Sequence, residues 1–289
     1  MTYLIPLVCS LLFSFQFVFN KKYEGRMGQS LKSSAYLLAV ISAVAIVIVL
    51  TINRFRFAFS LYSLGMAALL AAISIGCTVF GLRAMHLGSL SIYTLFLMLG
   101  GMLLPSVMGV AVLHEEMGLP RKLAFLLITV ALALPVLDRK NRKKGSAVFY
   151  VLCFVLFLLN GSNSCVTKLH QINAQAVDSN SFLTMLYAVQ MLTGLIYLLF
   201  SNTGRRKTLS LDWKSASYGI GYALVNSVAC FANVSVAKTL PASLQYPLLT
   251  GGTILFSALC GWILFKEKPN AYTTVGIVLA VGATVLYAL

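Results

Sequence analysis

Acid is scarce in this chain. Seven Asp and Glu stand among 289 residues, against 22 Lys and Arg, and all charged residues together make up 10%. A soluble domain of this length needs more polar surface than that, so a soluble enzyme is excluded at the outset. The acids are also badly placed for chemistry inside a bilayer. Glu24, Glu115, Glu116, Asp138, Asp178, Asp212 and Glu267 read as lying at or beyond helix ends, with none in mid-span. A mid-membrane carboxylate is the common means of coupling transport to protons. Without one, facilitated diffusion or exchange is as natural as proton coupling.

Other absences narrow the function further. Cys9, Cys77, Cys153, Cys165, Cys230 and Cys260 fall in apolar runs with no CxxC spacing, so they read as small core residues and not as a disulfide frame or metal site. His86, His114 and His170 have no HExxH or similar spacing, and neither a P-loop nor a GxGxxG is found. No cofactor, metal or ATP hydrolysis is therefore expected. An intramembrane enzyme would need a buried Asp pair, a Ser–His pair or a metal cluster, and none is visible. The first apolar run, from Tyr3, has no basic residue before it and no small-residue cleavage site behind it, so it reads as a span and not a signal peptide.

What is abundant is apolar sequence: 59% hydrophobic residues and a mean hydropathy of +0.89. A membrane-crossing helix needs about 20 apolar residues. The runs place ten spans at 2–20, 34–52, 58–82, 89–113, 122–137, 147–167, 181–200, 215–237, 242–265 and 271–288. The expected class is an all-α, multi-pass cell-membrane protein of ten transmembrane helices. The formal charge of +15 sits in short loops beside these runs. It points to lipid headgroups and not to nucleic acid.

The ninth span has an echo 151 residues upstream, without a gap. Gly100 and Gly101 stand where Gly251 and Gly252 stand, Glu116 where Glu267 stands, and Leu97, Leu104 and Leu113 where Leu248, Leu255 and Leu264 stand. Residues 1–138 and 147–289 thus read as two copies of a five-helix unit joined by a basic loop at 139–146. An odd number of spans per copy reverses the second copy in the membrane, giving inverted repeats. Sixteen of the Lys and Arg fall in odd-numbered loops, and six (Arg54, Arg56, Arg121, Lys122, Lys168 and Lys238) in even ones. That bias puts the odd loops in the cytoplasm and both termini outside.

The spans carry neutral hydrogen-bonding groups. Gln16, Asn160, Asn163, Asn226, Asn233 and Gln245, with Tyr93 and Tyr246, are the expected lining of a cavity between spans 1, 3, 4, 6, 8 and 9. A buried amide costs several kcal/mol unless paired, so these groups should face other helices or a wet space. The glycine pairs are expected at helix contacts. Glu116 and Glu267 are expected to hold a turn or helix end, or to gate. Pro105 and Pro247 mark interruptions that free backbone carbonyls.

Two five-helix halves, each closing on a GG-bearing helix with a Glu at its end and a final apolar helix, resemble the EamA-type members of the drug/metabolite transporter superfamily. LPASLQYPLLTGG and ILFKEKPNAYTTVGIVLAVGATVLYAL carry the resemblance, and HEEMGLP replaces the single acidic turn in the first half. The resemblance implies a carrier with a cavity between the halves, working by alternating access, generally as an exporter, with cytoplasmic termini. Combined with the neutral lining, the expected function is secondary transport of a small polar organic metabolite, neutral or zwitterionic and amino-acid-like, by a monomer or homodimer. The alternatives are a lipid-headgroup flippase or a carrier of anionic, phosphorylated metabolites.

Overall fold

A computed structural model describes residues 4–112, 118–137, 146–201, 213–236 and 242–288. The described residues form ten α-helices: α1 Leu4–Met27, α2 Leu31–Ile52, α3 Leu61–Leu87, α4 Leu90–Val112, α5 Leu119–Leu137, α6 Ser146–Ile172, α7 Ser179–Ser201, α8 Trp213–Val236, α9 Ala242–Phe265 and α10 Ala271–Ala288. Eight of them are long and apolar enough to cross a membrane. The other two are α8 and α10. The fold is a multi-pass helical bundle. Large apolar side chains such as Val47, Leu199, Phe200 and Ile263 point outward at 65–76% exposure. That surface suits lipid and would aggregate in water.

Local chemistry sets the helix ends. Ser30 and Ser60 cap α2 and α3 by accepting the amides of Ser33 and Ser63, and Asp178 and Asn270 do the same for α7 and α10. Gly28, with φ of 71°, turns the chain from α1 into α2. The ninth helix closes differently. Lys266 takes a left-handed φ of 56°, and the Glu267 amide donates back to the Gly261 carbonyl at 3.0 Å. Neither Pro105 nor Pro135 stops its helix. The expected early interruption of the ninth span is likewise missing from the backbone, for α9 runs unbroken from Ala242. Membrane helices tolerate such prolines because neighbours satisfy the freed groups. At the end of α5 the Pro135 carbonyl, one of the last of the helix, accepts the Tyr150 hydroxyl.

Cross-helix contacts fix the chain directions. Lys21 at the end of α1 meets Glu267 beyond the end of α9 and lies near Gly88, before α4. Asn53 after α2 meets Asn180 at the start of α7, and Ser63 at the start of α3 meets His170 at the end of α6. Odd-numbered helices run one way and even-numbered helices the other. The packing partners also map onto one another when the halves exchange places. The pair α1 with α8 corresponds to α6 with α3, α1 with α9 to α6 with α4, and α2 with α8 to α7 with α3. The pairs α2 with α7, α4 with α9 and α5 with α10 correspond to themselves.

Small residues bring the helices together. A Cβ added to Gly100 of α4 would fall 2.1 Å from the Phe157 carbonyl oxygen of α6, and one added to Gly161 of α6 would fall 2.7 Å from the Gly100 carbonyl. One added to Gly251 would meet Thr284 of α10, and one added to Gly252 would meet Ser10 of α1, each at 2.4 Å. Within a bilayer, helix association rests on such close backbone approach, because lipid tails remove the hydrophobic incentive.

Candidate functional site

The centre of the bundle is polar without being ionic. Tyr222 of α8 lies within electrostatic reach of Tyr93 of α4, Tyr187 of α7, Cys77 of α3 and Cys230. Tyr187 of α7 lies close to Asn226 of α8, and the Asn226 Oδ1 accepts the Cys230 thiol at 3.9 Å. Tyr187, Tyr222, Asn226 and Cys230 are half-buried.

From α1, Gln16 and Asn20 approach one turn apart on one face. The Gln16 side chain is 8% exposed, and neither its Oε1 nor the Asn20 Oδ1 has a protein hydrogen-bond partner. Leaving such an acceptor unpaired costs about 1–3 kcal/mol, a cost that a ligand donor would relieve. The neighbouring Phe17 packs edge-on against Tyr93, with ring centroids 5.8 Å apart, and Phe19 lies against Gly221 of α8.

The expected lining residues divide into three groups. Gln16 carries a buried, unpaired acceptor on α1, Asn226 accepts the Cys230 thiol on α8, and Asn163 is half-buried on α6. Asn160 and Tyr93 are packing residues. The Asn160 amide donates to the Leu97 carbonyl of α4 at 2.7 Å across the Gly101 contact. Tyr93 is 4% exposed and fills the space over Gly81 with its hydroxyl end. The side chains of Asn233, Gln245, Tyr246 and Pro247, and all of Glu116, lie outside the described residues. Asn20, Tyr187 and Tyr222 complete the centre, and Tyr222 had no signal in the sequence beyond being an aromatic in a span.

At the end of the bundle where α1 stops, one acid lies deeper than the apolar run suggests, in the last turn of its helix. Glu24 is not beyond its helix: α1 continues to Met27, and Glu24 is 6% exposed and paired with His86 Nδ1 of α3 at 2.7 Å. Its helical placement follows from Tyr23, fully buried beside it, whose hydroxyl donates to the Ser33 carbonyl at 2.7 Å and fixes the extra turn. The bundle therefore does hold a buried carboxylate. Glu267 is held there too. It forms an ion pair with Lys21 and accepts the Leu90 amide, the first of α4, at 2.8 Å.

At the opposite end His170 of α6 is 1% exposed. It stacks on Phe182 at 3.7 Å and meets the Ser63 hydroxyl at 3.0 Å. Ser63 in turn accepts the Val177 amide, so its hydroxyl proton is free to go to the imidazole. Among the described residues no three His, Cys, Asp or Glu side chains cluster as metal ligands would.

No protein-family model matches the chain, and no curated protein does. Solved structures do match. One crystal structure, described only as that of a protein, superposes with a TM-score of 0.61 at 15% identity, covering 99% of this chain and 95% of the other. At that identity the likeness speaks for the fold alone.

Proposed function

We propose that this chain is a secondary carrier of a small, polar organic solute, neutral or zwitterionic and amino-acid-like. The solute crosses by alternating access between two inverted five-helix repeats of the EamA type. The observation that carries the reading is the set of neutral polar side chains within the spans: Gln16 and Asn20 of α1 with unpaired acceptors, and half-buried Tyr187 of α7 and Tyr222 and Asn226 of α8, with no carboxylate among them. Such a lining binds a donor group and an apolar or aromatic body without holding a fixed charge. The exchange of packing partners between the halves and the strict alternation of helix direction support the repeat. Export from the cell membrane follows the family resemblance. Nothing in this mechanism calls for bond-making chemistry, so the protein is read as a transporter and not an enzyme.

The test is counterflow in proteoliposomes with labelled neutral amino acids and related metabolites, with and without a pH gradient. Asn226→Ala is expected to raise the half-saturation concentration about tenfold, the value of one hydrogen bond of roughly 1.4 kcal/mol. Gln16→Met is the sharper variant. Removing an unpaired buried amide should stabilise the empty protein by about 1 kcal/mol or more while weakening transport. Unchanged affinity in both variants would remove the site. Transport that vanishes with the pH gradient would shift the coupling to protons and make the buried Glu24, paired with the exposed His86, their first candidate.

A further inference from the structure

One carboxylate closes the end of the bundle where α1 stops and α2 begins. The left-handed turn at Lys266 folds Glu267 back over the end of α9. Its Oε1 pairs with Lys21 of α1, and its Oε2 accepts the first amide of α4 at 2.8 Å. The Lys21 ammonium also lies 3.5 Å from the Gly88 carbonyl and 5.1 Å from the centre of the Phe265 ring. The two side chains are 11% and 22% exposed, so the pair is poorly screened by solvent. Glu267 thus answers an ammonium, an unsatisfied N–H and the positive end of a helix dipole together. One group joins α1 and α4 of the first half to α9 of the second.

The 151-residue register puts different residues at the counterpart positions. There Glu116 takes the place of Glu267, Ile172 that of Lys21, and Pro241 that of Leu90. Proline has no amide hydrogen to donate, and isoleucine has no charge to pair. Neither partner of the Glu267 carboxylate is reproduced at the corresponding position.

We infer that Glu267 and Lys21 form a latch particular to the α1–α2 end. Parting them opens the central space to that side, and the empty carrier rests with that end shut. This rests on the carrier reading and adds a sidedness to it.

Hydrogen–deuterium exchange of the full chain in lipid nanodiscs tests the latch without any solute, using wild type, Glu267→Gln and Lys21→Met. Glutamine keeps an acceptor for the Leu90 amide, so that variant removes the charge pairing and spares the helix cap. Amides at 88–96 are expected to exchange about tenfold faster in both variants, while amides at 173–182, at the opposite end, exchange more slowly, because opening one end closes the other. Faster exchange at both ends would reduce the pair to ordinary stabilisation and overturn the latch. No change at either end would overturn it as well. Counterflow on the same samples separates the two readings. Reciprocal exchange with no transported solute would count against the carrier and leave the latch, whereas transport without reciprocal exchange would count against the latch alone.

Discussion

Replacing Gly100 with alanine should be the most damaging of the small-residue substitutions, and the structure allows its cost to be worked out. The added Cβ falls 2.1 Å from the Phe157 oxygen and 2.7 Å from the Phe157 Cα, and ordinary contact begins near 3.4 Å. The obstacle is backbone, so no rotamer relieves it. The two helices must back away by the difference between 2.1 and 3.4 Å, about 1.3 Å. That shift stretches the Asn160 to Leu97 bond from 2.7 Å to beyond hydrogen-bonding range. Interhelical hydrogen bonds in membranes are worth about 0.6 kcal/mol, up to about 1.7. Loosening some two dozen atom pairs forfeits a further 1–2 kcal/mol, roughly. Alanine returns about 0.5–1 kcal/mol over glycine in a helix. The net loss is about 1–3 kcal/mol.

Two neighbours calibrate this figure. At Gly101 the new Cβ meets the amide nitrogen of Asn160 at 2.7 Å, with Ser164 Oγ in ordinary contact at 3.4 Å; the Asn160 side chain can turn aside at the cost of its bond to Leu97, which the helix preference of alanine largely offsets, so Gly101→Ala should lie within about 1 kcal/mol of wild type. At Gly282 nothing lies within 4 Å, and alanine should stabilise by about 0.5–1 kcal/mol. Equilibrium unfolding by SDS titration in bicelles would rank the three. If Gly100→Ala matches wild type, or if Gly101→Ala costs more, the α4–α6 contact is not the tight seam described here.

Two further outcomes follow from the helix ends. Burial raises the Asp178 carboxyl, but the Ser181 hydroxyl and the backbone amides of Ser181 and Asn180 outweigh it and hold it below the usual carboxylate value. Its folded value lies under its unfolded one, so its contribution is complete above the unfolded value and disappears as pH falls through the folded one. Asp178→Asn should flatten the acid limb of Tm against pH, and Asp178→Ala should cost about 1 kcal/mol at neutral pH. Lys266 occupies a left-handed backbone at φ 56°, so Lys266→Gly should raise thermal stability by up to about 1 kcal/mol without disturbing Glu267. A fall in Tm would mean that the lysine side chain contributes more than its backbone costs.

The helices were legible because runs of twenty apolar residues have few other uses. Every expected span overlaps a helix, and the errors are at the ends. The apolar signal of α1 fades at Asn20, while the helix continues through the polar stretch KKYEGRM because Tyr23 finds a buried place beside Leu37 and Leu82. That extra turn is what withdraws Glu24 from solvent and brings it to His86. Tertiary packing decided it, and hydropathy carries no record of tertiary packing. The site was harder to read. Asn160 and Asn226 are the same residue type in similar surroundings, but one amide closes on a backbone carbonyl and the other faces tyrosines. The difference lies in which helix stands opposite, and spacing along one helix cannot supply that.

The register of 151 residues was legible in small residues and leucines, which set how closely backbones approach. These are the features that the packing pattern repeats, with α1 on α9 matching α6 on α4. Hydrogen-bonding chemistry follows no such rule. Gly101 receives the amide of Asn160 from α6, whereas Gly252 receives the hydroxyl of Ser10 from α1. Leu90 donates an amide to a carboxylate, whereas position 241 is proline. If the two halves were chemically identical, the two ends of the bundle would be equally easy to open, and neither state would be favoured when empty. Any preference must therefore arise where residues 151 apart differ in charge or in donors. For the proposed carrier, the meeting of Lys21, Leu90 and Glu267 at the ends of α1, α4 and α9 is one such difference, and a search for a preferred state should begin there.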